Sequence, residues 1–182
     1  MPNHRPSART PLVHYLGLMP LIVRANPNEA PALTDIAHQA KRFWGYPEAW
    51  IRSWRDDLTL DQPYIQSHIV YTIRDQDSLV GFYGLVPLST VDHRWELDHM
   101  WVVPAAMGRG LGRALFHHAV DQARRVGARR VRIVSDPHAE AFYRRMGART
   151  VGRVDGSIGG VERWLPTMEL VIEGRPSAES SD

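Results

Sequence analysis

The sequence predicts an α/β fold with a mixed, largely antiparallel sheet flanked by helices. Three observations carry that expectation. Two β-branched apolar segments, 65–73 and 79–88, are separated by the polar turn Asp-Gln-Asp-Ser and read as a hairpin. A strand ending at Pro104 runs into a glycine-rich turn that opens a helix. A further strand, 129–135, follows that helix, which calls for a β-α-β crossover.

The remaining elements fall in order around these. Segment 21–25 is a short first strand, and Asn26-Pro27 suits a helix start. Leu33, Ile36, Ala37 and Ala40 follow at helical spacing until Gly45 and Pro47 break the helix. Trp50, Ile51, Trp54 and Leu58 repeat the helical period across a second helix, 47–58. Segment 94–103 is a fourth strand. The helix after the glycine turn stops at Gly127, Pro137 starts a short helix ended by Gly147, and 149–154 and 162–171 close the fold as strands. Residues 1–18 and 173–182 are polar and lack apolar periodicity, so they are expected to be flexible extensions of a single domain, 19–172.

Composition bounds the chemistry. A chain of 182 residues is long enough to bury a core without staples. It has no cysteine, which excludes disulfides, thiolate-held metals and a cysteinyl acyl-enzyme. That usage fits a reducing compartment, and a cytoplasmic location is expected. No apolar run approaches the ~18 residues of a membrane span, and no apolar signal core follows the first residues. Basic and acidic residues nearly balance, at 22 and 20, and Lys41 is the only lysine. Without a block of like charge, neither nucleic acid nor a membrane surface is an expected partner. His117 and His118 are adjacent on a helix and cannot share a face as metal ligands do, so no metal is expected.

The strongest chemical signal is the run from Val103 to Arg113, in which Gly108, Gly110 and Gly112 open a helix beside Arg109 and Arg113. Unpaired N–H groups at a helix N-terminus bind phosphate, and glycines let the chain approach it closely. The G-x-G-x-G spacing is neither the G-x-G-x-x-G of a dinucleotide fold nor a P-loop. About 25 residues on comes a second segment, from Asp136 to Ala148.

Together the two segments resemble the GNAT superfamily of acyl-CoA-dependent N-acyltransferases. The family's R/Q-x-x-G-x-G/A pattern falls on Met107, Gly108, Arg109, Gly110, Leu111 and Gly112. Its N-x-x-A-x-x-F-Y-x-x-x-G-F pattern falls on Asp136, Ala139, Phe142, Tyr143, Gly147 and Ala148. Met107 replaces the usual arginine or glutamine, Asp136 the asparagine, and Ala148 the phenylalanine. The resemblance implies acetyl-CoA as donor and a sheet splayed between its fourth and fifth strands, with pantetheine pairing near Trp101, Val102 and Val103. It also implies an amine acceptor, a small molecule or a peptide, and a family in which homodimers are common. A non-catalytic acyl-CoA-binding regulatory domain would keep the glycine turn.

Catalysis needs a base to free the amine and an acid for the leaving thiolate. Glu96 and Asp98 lie two apart on the fourth strand, so alternation places both on one face and His99 on the other. Counted back from the glycine turn, Glu96 stands where some family members carry a glutamate base. Tyr143 matches the family tyrosine that sits near the CoA sulfur. Acceptor contacts are expected from Asp98 and from Trp44 and Tyr46, which surround a glycine hinge where the family covers its acceptor.

Overall fold

The structure is a computed structural model and describes residues 20–172; the extensions expected at 1–18 and 173–182 lie outside the described residues. Seven strands form one sheet: β1 (Leu21–Arg24), β2 (Ile69–Asp75), β3 (Ser78–Ser89), β4 (Arg94–Val102), β5 (Arg130–Val134), β6 (Arg149–Asp155) and β7 (Trp164–Val171). Their spatial order is β1-β2-β3-β4-β5-β7-β6. All neighbours run antiparallel except β4 and β5, which the crossover makes parallel. The last strand in sequence inserts between β5 and β6, leaving β6 exposed along its whole length at the sheet edge.

Helices cover both faces. On one face, α4 (Leu111–Arg125) and α5 (Glu140–Arg145) pack Leu115, Phe116 and Tyr143 against Tyr83, Leu97 and Ile133. On the other, α1 (Ala30–Phe43) and α3 (Gln62–Ser67) press Leu33, Ile36 and Ile65 on Val70 and Phe82. Phe82 and Tyr83, adjacent on β3 and fully buried on opposite faces, show the strand alternation at work. A short helix, α2 (Glu48–Ser53), lies between α1 and α3.

The expected strand at 65–73 is corrected. Asp61 accepts a hydrogen bond from the Tyr64 N–H at 2.7 Å, and a proline sits in the first turn, so 62–67 form a helix and β2 begins at Ile69. The second helix is also shorter than expected, ending at Ser53.

Two features shape the region near β4. First, β4 and β5 pair only from Arg94–Arg130 to Glu96–Arg132 and part beyond that rung. Second, Gly84 faces His99 while Leu85 faces Leu97, so Asp98 is an extra residue with no partner on β3: a β-bulge. The bulge corrects the alternation read from sequence. Leu97 packs under α4, whereas His99 lies against Phe82 and Tyr64 on the α1 face, the face of Glu96.

Candidate active site

The gap between the parted strands is a cavity of about 120 Å³, bordered among others by Met100, Val102, Met107, Asp136, Ala139 and Tyr143. At its end the glycine turn leads into α4. Gly108 and Gly110 have φ of 76° and 82°, the left-handed region, and Gly110 is the N-cap of α4 without any side-chain cap. The first N–H groups of a fifteen-residue helix are therefore free, with no Cβ over them. These residues fit a pyrophosphate at the end of the cavity. Arg109 is ion-paired at 2.6 Å to Asp75, the last residue of β2, while Arg113 is exposed on the first turn of α4.

Tyr143 borders the cavity and is buried between Phe116 and Phe142. Burial raises its hydroxyl well above the usual tyrosine range, so it stays protonated. Phe142 is half-buried and packs edge-on against Tyr143.

Glu96 is placed differently from Asp98. Its carboxylate accepts a 2.7 Å hydrogen bond from Arg132 at the last paired rung, and it lines neither this cavity nor the larger one beside it. Asp98 projects from the bulge, accepts a 2.8 Å hydrogen bond from the Tyr64 hydroxyl and is more exposed. Burial, then the Asp98 charge, raise the Tyr64 hydroxyl so that it stays protonated. The indole N–H of Trp101 donates to Nδ1 of His99 at 3.1 Å, which places the ring proton on Nε2, 3.5 Å from Asp98. Burial lowers the pKa of His99 and keeps it neutral. The lone pair of its ring is thus occupied by the indole.

A second cavity of about 520 Å³ opens on the far side of this wall. It shares Asp98, Trp101, Val134 and Asp136 with the first, so the two meet at the mouth of the fork. Asp136, where the resembling family carries asparagine, is bound into an ionic cluster: Lys41 Nζ at 2.6 Å, Arg163 Nη2 at 3.2 Å and the Tyr46 hydroxyl at 2.9 Å. Burial opposes the carboxylate charge, but Lys41 outweighs it and holds Asp136 below the usual range. Trp54 and Tyr46 flank both cations with their ring faces. Trp44 stacks on His138 and borders the first cavity, not the second; Tyr46 touches the site through Asp136 and Arg163.

Sequence reasoning passed over Lys41, Tyr64 and Arg163. Lys41 had one signal, being the lone lysine of an arginine-rich chain. Tyr64 and Arg163 had none, since each is defined by partners far along the chain.

A splayed sheet with a left-handed glycine turn at the head of a helix defines a coenzyme A-dependent acyltransferase fold. The sequence model of the Acetyltransferase (GNAT) family matches residues 31–148. The chain belongs to that family and is an acyl-CoA-dependent N-acetyltransferase. A curated relative, the uncharacterized N-acetyltransferase YjgM of Escherichia coli K12, is 27% identical, covering 79% of this chain and 90% of its own. The fold is shared with a GCN5-related N-acetyltransferase of Rhodopseudomonas palustris (TM-score 0.69, 21% identity, 87% of this chain and 99% of the other). It is also shared with the PaiA N-acetyltransferase of Thermoplasma acidophilum in complex with coenzyme A (TM-score 0.68, 18% identity, 85% and 99%). Among the described residues no helix is long and apolar enough to cross a membrane.

Proposed function

We propose that the chain transfers the acetyl group of acetyl-CoA to a primary amine, a small molecule or peptide, by direct attack in a ternary complex in the cytoplasm. The observation that carries this reading is the meeting of two cavities at Asp98, Trp101, Val134 and Asp136. When bound, the cosubstrate supplies the activated acetyl thioester. Gly108, Gly110 and the free N–H groups of α4 hold its pyrophosphate, and the edge left unpaired with β5, at Trp101, Val102 and the following Val103, holds its arm.

Asp98, rather than the ion-paired Glu96, takes the amine's proton, directly or through water. The Tyr64 hydroxyl fixes the orientation of that carboxylate. Tyr143 gives its proton to the departing thiolate. With no cysteine in the chain, transfer needs no cysteinyl intermediate.

A panel of amines assayed with acetyl-CoA, following free thiol, tests the proposal. Thiol release that requires an amine supports it. Stabilisation of the protein by acetyl-CoA without turnover on any amine would instead favour a non-catalytic acyl-CoA-binding domain.

A further inference from the structure

The larger cavity is electrically two-sided. On the β4 side stands Asp98, its carboxylate steadied by Tyr64. On the β5–β7 side stand Lys41 and Arg163, each with a side chain only 11% exposed. Both cations converge on the same oxygen of Asp136, so two positive groups share one carboxylate. A surplus charge this far out of water is costly unless an anion completes it.

Arg163 has donors to offer. Its hydrogen bonds to Tyr46 and Asp136 both leave from Nη2; Nε and Nη1 have no partner among the described residues, and the side chain lines the cavity. A guanidinium presents its N–H groups in a rigid fork that matches a carboxylate. Burial and Arg163 lower the pKa of Lys41, against the pull of Asp136 and Asp57; Asp56 and Asp57 also border the cavity but are exposed to solvent, so they offset the surplus less than a carboxylate seated on Arg163 would.

We infer that the acceptor is a small amine that also carries a carboxylate, an amino acid or close derivative, with its amine at Asp98 and its carboxylate at Arg163. The inference rests on the acetyltransferase reading and deepens it by naming the acceptor class. Trp54, Leu58, Trp101 and Leu165 also line the cavity and suit an apolar side chain. The cavity volume is that of a small-molecule site and leaves room for one such ligand.

Matched triads test it: leucine, phenylalanine and methionine, each beside its amide and its decarboxylated amine, with spermidine as a purely cationic rival. Turnover is followed by thiol release, and binding to the CoA-loaded protein by calorimetry. The acids should exceed their amides by about tenfold or more in kcat/KM, the worth of one charge-assisted hydrogen bond. R163Q should bring the acids to within about twofold of the amides. K41M should weaken the preference in the same direction. Stabilisation by acetyl-CoA certifies that each variant is folded, and R163K should restore part of the preference if R163Q is not folded. Turnover of acids and amides alike, preference for spermidine, or an undiminished preference in R163Q would overturn the anion subsite while leaving acetyl transfer standing. Tight binding of the acids over the amides with no turnover would uphold the subsite and overturn the transfer.

Discussion

Arg132 Nη2 lies 2.7 Å from Glu96 Oε2 on the last rung that joins β4 to β5. The ion pair therefore sits at the crotch of the fork, and the strands part immediately beyond it. It is placed to hold the fork at a fixed opening. The buried Nε of Arg132 has no partner among the described residues, so the pair is the main satisfaction of that half-buried side chain.

Glu96→Gln should consequently act on stability, between the ~1 kcal/mol of an exposed pair and the ~3 kcal/mol of a broken buried one. Asp98→Asn should instead lower kcat by roughly 10²–10⁴-fold with little change in acetyl-CoA affinity. Melting curves and steady-state kinetics on the two variants check this. A large kcat loss in Glu96→Gln with Asp98→Asn near wild type would return the base role to Glu96.

Gly84 faces His99 beside the bulge, and a Cβ there would stand 2.5 Å from the Tyr64 hydroxyl. Since that hydroxyl is the tip of a movable side chain, Gly84→Ala should fold but swing it off Asp98. Both Gly84→Ala and Tyr64→Phe should lower kcat roughly 10–100-fold, the worth of one hydrogen bond to a charge. The double variant should be no worse than Tyr64→Phe alone. Additive losses would show that Gly84 acts by another route.

Burial keeps the Tyr143 hydroxyl protonated. Tyr143→Phe should lower kcat with acetyl-CoA, and the loss should shrink with acyl donors whose thiol leaves more easily. Equal losses across donors would assign Tyr143 to packing alone.

Acetyl-CoA should stabilise the fold by about 2.7 kcal/mol at one hundred times its dissociation constant. Gly110→Val should abolish that shift. No atom lies within 4 Å of a Cβ built there, but φ of +82° is strained for a branched residue, and the side chain would stand over the free N–H groups of α4. An undiminished thermal shift would place the phosphates elsewhere.

Acid should weaken the fold through His99. Its folded pKa is lowered from 6.5 by burial, so the unfolded chain takes up a proton first as pH falls. Stability from the neutral ring is complete above about 6.5 and is lost as pH drops below that value and through the lowered folded one. The slope is at most ~1.4 kcal/mol per pH unit, roughly 3–6 °C in Tm for a chain of this size. Asp136, held below 3.8, keeps its charge through this window. Between pH 7 and 5, Tm should fall less steeply in His99→Gln, whose amide can meet both Trp101 and Asp98. Parallel slopes would mean that His99 is not held neutral.

What the sequence determined by itself was local. The glycine turn, the strand before it and the helix after it were legible because glycine, proline and apolar period act over a few residues. The order of strands and helices followed for the same reason, apart from 62–67, where a cap and a proline outweighed β-branched residues. What only the tertiary structure decided was non-local. A single bulged residue reversed the face on which His99 stands, and a bulge is set by pairing with β3, not by β4 itself. The insertion of β7 between β5 and β6 brought Arg163 to Asp136, and α1 brought Lys41 from 95 residues away. No pattern within one segment encodes such a cluster, because the cost of burying its charges is met only when all three side chains arrive together.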